Sequence, residues 1–94
     1  MPEAPGVQGN RWLSVALFED ASRAERVRLA LAAADIESRP VWKPLHLQPV
    51  FAGVEADCPV SEDLFRRGLC LPSGCGLTLE EQQRVIAVVR DNLL

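Results

Sequence analysis

The 94-residue sequence contains one lysine, Lys43, and one histidine, His46. It has no apolar run near the ~20 residues that span a bilayer. Met1-Pro2-Glu3-Ala4-Pro5 has neither the basic nor the apolar part of a signal peptide. The expectation is a soluble, cytoplasmic chain with no membrane partner. Basic residues are not in excess either. Ten cations against thirteen acids give a net charge of −3, which weighs against a nucleic-acid partner. No C-x-x-C pair occurs, and Cys58, Cys70 and Cys75 are odd in number. Their spacing suits zinc poorly even with His46 added, so reduced thiols are expected, with Cys70 a small buried residue between two leucines. No serine lies in a G-x-S-x-G elbow, and there are no repeats or low-complexity tracts.

What remains is a 48% apolar chain, the composition of one small globular domain. A chain of this size buries roughly 60–65% of its unfolded surface. That supports a little sheet and two or three helices, but not two domains flanking a cofactor cleft.

Residues 1–10 hold two Pro and two Gly and read as a linker or flexible arm. Trp12 to Phe18 reads as a strand, apolar on both faces and therefore expected to be well covered. Ser22-Arg23-Ala24-Glu25 matches a capping box and predicts a helix to about Ala34, burying Ala24, Val27, Leu31 and Ala34. Ile36 to Trp42 reads as a second strand, with Pro40 confining it to an edge or to the strand's end. Lys43 to Asp57 is long and irregular, yet Leu45, Leu47, Val50 and Phe51 make it too apolar for plain linker. A short helix is expected from about Pro59 to Arg67, then a brief strand over Leu69–Leu71 and a turn over residues 72–76. Thr78-Leu79-Glu80-Glu81 is a second capping box, opening a helix that should bury Val85, Ile86, Val89 and Leu93. The order β-α-β-loop-α-β-α gives an α/β chain of the two-layer α+β sandwich kind. About three short strands are covered by about three helices.

The chemistry-bearing residues gather in one stretch. From Pro40 to Pro49 there is no acid, while Lys43 and His46 stand three residues apart. Lys43 could bind an anion, form a Schiff base if desolvated, or be a solvated loop residue. Its surroundings add neither a phosphate cup nor a carboxylate for a pyridinium. His46 is a structural loop residue or a polar contact to an anionic or sugar ligand. Arg39 has the planar fork that suits phosphate, and it could equally pair with Glu37 or another acid. The Pro-Ser-Gly-Cys-Gly turn is an ordinary strand-to-helix turn or a weak anion cradle.

Two longer strings are more specific. Ile36 to Phe51 (IESRPVWKPLHLQPVF) resembles the C-terminal segment of DegT-like sugar aminotransferases. So does Leu64 to Gly74 (LFRRGLCLPSG), followed by Gly76-Leu77-Thr78 and a Glu-rich helix start. These are pyridoxal-phosphate enzymes of the aspartate-aminotransferase fold that aminate nucleotide-linked keto sugars. The branch resembled makes 4-amino-4,6-dideoxy sugars on UDP or GDP, with glutamate as the usual amino donor. The resemblance implies that residues 11–94 form the family's small C-terminal domain, and that the chain is a fragment or truncated product. Pyridoxal phosphate would belong to the intact enzyme, held by a large domain that supplies the Schiff-base lysine, the phosphate site and the pyridinium acid. Lys43 does not match that lysine. No cofactor is therefore expected on this chain alone, and no turnover. Arg39, Trp42, Lys43 and His46 become candidate substrate contacts near the sugar-nucleotide entrance. The implied partners are the large domain or its dimer mate, with Leu45, Leu47, Val50 and Phe51 as the interface or as a site of self-association. A free-standing binding module using Arg39–Phe51 is the alternative.

Overall fold

A helix begins where some group other than a carbonyl one turn back takes its first free N–H groups. At Thr78 the expected cap forms through the hydroxyl, which accepts from the Glu81 N–H at 3.1 Å and donates to the Glu81 carboxylate at 2.9 Å. At the first helix the cap is different. The Asp20 carboxylate accepts from the Arg23 N–H at 2.8 Å, so the helix starts at Ala21 and the Ser22–Glu25 box is not used. A carboxylate at the positive helix end serves as well as a serine hydroxyl and adds a favourable charge–dipole term.

The computed structural model describes residues 3–10 and 12–93. Met1, Pro2, Arg11 and Leu94, which belong to the expected arm and domain, lie outside the described residues. The elements are β1 (Ser14–Leu17), α1 (Ala21–Ala33), β2 (Arg39–Pro40), α2 (Pro59–Arg67), β3 (Gly68–Leu71) and α3 (Leu79–Asp91). Two single 3-10 turns, Leu45–Leu47 and Pro49–Phe51, fill the long segment between β2 and α2. The fold class and element order are those read from the sequence.

The sheet is antiparallel in the order β1-β3-β2. The last strand in sequence is thus the central one, and Gly68, Leu69 and Cys70 are all buried. β1 falls on an edge, which overturns the expectation that it is well covered: Val15 and Leu17 are 51% and 50% exposed. Its apolar residues face both ways, but the helices cover one side only. The second strand is much shorter than Ile36–Trp42. Only Arg39 and Pro40 pair with β3, opposite Cys70 and Leu69, because proline lacks the N–H that would extend the ladder.

Val27 and Leu31 of α1 are fully buried and pack with Phe18, Ala24, Leu69 and Val85. On α3 the inward row is Val85, Val88 and Val89, whereas Ile86 and Leu93 are exposed, correcting the row expected there. α1 ends in a Schellman motif. The Ile36 N–H reaches the Leu31 carbonyl at 2.8 Å and the Asp35 N–H reaches Ala32 at 3.0 Å, with Asp35 left-handed at φ 61°. This turn swings the chain from α1 towards β2 and so fixes where Arg39 emerges.

Candidate functional site

Residues 39–43 run off the sheet edge, so their side chains gather beside the outer side of β3. Arg39, Pro40, Val41, Trp42 and Lys43 line a groove of about 570 Å³ together with Trp12, Leu13, Phe65 and Cys70. None of these lining residues is acidic. Trp12 and Trp42 meet there with ring centroids 5.6 Å apart and planes tilted by 45°, within the usual range for an aromatic pair. Beyond Arg39 the groove adjoins a second depression of about 430 Å³, reached by Glu37, Ser38, Ser73 and Gly74.

Three of the four expected site residues therefore share one groove. Arg39 is held by Glu37, with Nε to Oε1 at 2.9 Å, and both side chains are over 70% exposed. Such a pair contributes ~0–1 kcal/mol and leaves the guanidinium free to exchange partners. Lys43 is exposed and makes no ion pair among the described residues. Its carbonyl accepts from the Gln48 side chain at 3.1 Å, which shapes the turn that follows. His46 is not in the groove. Its Nε2 lies 2.6 Å from the Glu62 carboxylate on α2, and the ring is only 12% exposed. This contact ties the first 3-10 turn to α2.

The groove's far wall rests on a second clamp. Arg67 donates to both Asp63 oxygens, at 2.7 to 3.0 Å, and to the Phe18 carbonyl at 2.7 Å, while the Phe18 N–H returns to the Arg67 carbonyl. The Arg67 hydrogen bonds, with Arg66 adding to them, hold the Asp63 carboxyl below its ordinary range, and Asp63 in turn raises Arg67. On α1 a similar exposed pair lowers Glu25 and raises Arg28 through their side-chain hydrogen bonds.

The other sequence candidates carry less. The 72–76 turn leads to an α3 start already served by Thr78 and by Glu80 and Glu81, so its positive end is satisfied. Cys70 is buried, Cys58 half-buried and Cys75 exposed. Among the described residues no three His, Cys, Asp or Glu side chains are grouped as metal ligands. Trp12, Leu13, Phe65 and Cys70 line the groove although sequence reasoning did not place them in the site. Trp12 was absorbed into the apolar run of β1, although it stands two residues ahead of the strand.

Pyridoxal phosphate requires a lysine amine, a carboxylate opposite the ring nitrogen and a phosphate cup. The groove offers Lys43 but no carboxylate, and the one carboxylate of the adjoining depression, Glu37, is paired with Arg39. The residues lining this groove do not fit that cofactor.

The DegT/DnrJ/EryC1/StrS aminotransferase family matches residues 1–90. EpsN of Bacillus subtilis (strain 168), named as a pyridoxal phosphate-dependent aminotransferase, is 44% identical over 94 residues, covering 95% of this chain and 24% of its own. GDP-perosamine synthase of Escherichia coli O157:H7 is 35% identical over 79 residues, covering 84% of this chain and 22% of its own. The GDP-perosamine synthase of Caulobacter vibrioides is 42% identical over 60 residues, 63% of this chain and 16% of its own. The chain thus spans about a quarter or less of the length of these relatives. With a family match across nearly all of its residues, the chain belongs to the DegT/DnrJ/EryC1/StrS aminotransferase family.

Proposed function

We propose that this chain serves as the small domain of a pyridoxal-phosphate-dependent aminotransferase that aminates a nucleotide-linked keto sugar. It supplies a wall of the substrate site and leaves the cofactor chemistry to the rest of the enzyme. The observation that carries the reading is the division of labour in the residues themselves. Matched across 90 residues by an aminotransferase family, the chain offers an aromatic and cationic groove whose lining does not fit the cofactor. Two of its relatives are named for a GDP-linked amino sugar, which supports the substrate class.

In this reading Arg39 and Lys43 attract the substrate's phosphates, Trp42 provides apolar contact, and His46 acts from its place against Glu62. Leu45, Leu47, Val50 and Phe51, all exposed here, pack on the cofactor-bearing large domain or its dimer mate. The separate chain turns over no substrate. The amino group comes from the family's usual donor, glutamate.

An exchange tests this. The segment of the E. coli GDP-perosamine synthase that aligns with this chain is replaced by this chain. The chimera is expected to bind pyridoxal phosphate and to form GDP-perosamine. A chimera that folds and binds the cofactor but transfers no nitrogen would contradict the reading.

A further inference from the structure

β1 stands at the edge of the sheet, and among the described residues no strand lies on its outer side. Successive residues of a strand turn their backbone groups to opposite sides. The Phe18 N–H bonds to the Arg67 carbonyl, on the β3 side. Ser14 and Ala16 therefore also turn towards β3, and Val15 and Leu17 turn their N–H and C=O groups outward. Ala16 and Phe18 pack on the core, so the side chains of Val15 and Leu17 lie on the face away from the helices, 51% and 50% exposed. Natural sheets guard such an edge with a lysine, a proline, a bulge or an inward charge. Residues 12–18 (WLSVALF) hold no charge and no proline, and the register with β3 runs without a bulge.

We propose that β1 is the seam of a two-fold dimer, its free edge pairing antiparallel with β1 of a second copy to make one six-stranded sheet. The outward groups of Val15 and Leu17 fix the register. With Val15 opposite Val15, Leu17 meets Leu13 of the second copy, and every backbone group on the seam finds a partner. The contact is self-complementary, as a two-fold axis requires, and apolar side chains meet apolar ones across it. Charge permits it. Glu19 lies four residues beyond the axis in each copy, so the two acidic ends stand roughly 25 Å apart, well past the screening length of about 8 Å.

Area also fits a second copy. The accessible surface of 7321 Å² exceeds that of a compact monomer of this mass by roughly 1,900 Å². A standard interface covers about 800 Å² per partner. The exposed arm over residues 3–10 leads into β1 and runs on past the end of the second copy's strand, which extends the contact beyond the four strand residues. Assembly stops at two copies, because the other edge strand, β2, is two residues long and ends in proline. The inference goes beyond the aminotransferase reading and does not depend on it.

Sedimentation equilibrium of the 94-residue chain over a range of concentrations tests the seam. A mass twice the 10.3 kDa of the chain is expected near 100 µM (about −5.5 kcal/mol of association suffices there), falling towards the monomer on dilution. Val15→Lys sets like charges opposite each other at the axis and should weaken the dimer about tenfold or more. Val15→Pro removes only an outward N–H and spares the ladder to β3; the two hydrogen bonds lost per dimer should weaken it about thirtyfold. Val50→Ser, on the exposed apolar segment away from the seam, should leave the association constant within about twofold. Circular dichroism confirms that each variant is folded, and Val15→Lys, at an exposed position, decides alone if the proline variant is not. The inference is overturned if the parent is monomeric near 100 µM or grows beyond two copies, if a folded Val15 variant dimerises as tightly as the parent, or if Val50→Ser abolishes the dimer.

Discussion

Asp63 holds two jobs through one carboxylate: it fixes Arg67, and through Arg67 it fixes the end of β1 to the end of α2. Its pKa lies below the ordinary 3.8 because the Arg67 hydrogen bonds stabilise the charged form. A carboxyl with a lowered folded-state pKa adds stability above its unfolded value and loses it as pH falls through the folded one. The melting temperature should therefore drop as pH is lowered from about 4. Asp63→Asn should melt lower than the parent at neutral pH and converge with it in acid. Part of the acid loss should persist in the variant, because Glu25 is lowered by Arg28 in the same way. Melting curves across pH check this, and parallel curves for the two proteins would refute it. That Arg39, Trp42 and Lys43 lie beside one groove was legible from the sequence because residues close together at a sheet edge stay together. Trp12 and the Glu62 partner of His46 were not, since those contacts join residues 30 and 16 positions apart.

At the scale of elements, local chemistry was readable at two of the three helix starts. Pro59 at the first turn of α2 and Thr78 at the start of α3 stand where expected. The Ser22 box failed because Asp20, two residues earlier, caps first. The edge position of β1 was beyond any local signal, because it depends on β3 arriving about fifty residues later to take the centre. β3 enters that centre through Gly68, where space is the constraint. A Cβ there would lie 2.6 Å from the Leu64 carbonyl oxygen and from a Val41 methyl, and 3.2 Å from Leu17. The carbonyl belongs to α2 and cannot turn aside. Gly68→Ala should cost about 2 kcal/mol through overpacking, read as a lower urea midpoint with an unchanged slope. An unchanged midpoint would mean that α2, β1 and the segment after β2 do not converge this closely. Since Val41 adjoins Trp42, the same variant should also disturb the groove.

At the scale of the whole molecule, the chain has more surface than it needs. Its accessible area is 7321 Å², against about 5,400 Å² for a compact monomer of this mass. Its radius of gyration is 15.3 Å, against about 12 Å. The surplus, roughly 1,900 Å², is what one side of a large permanent interface covers. Part of it lies on the exposed arm over residues 3–10, and part on Leu45, Val50 and Val54. Among the described residues no helix is long and apolar enough to cross a membrane.

Incubation with pyridoxal phosphate followed by desalting and an absorption spectrum tests the division of labour between this chain and the rest of the enzyme most directly. The 94-residue chain should retain no band of bound cofactor. A stable band, trapped by borohydride reduction and mapped to Lys43, would place the chemistry on this chain and contradict the account.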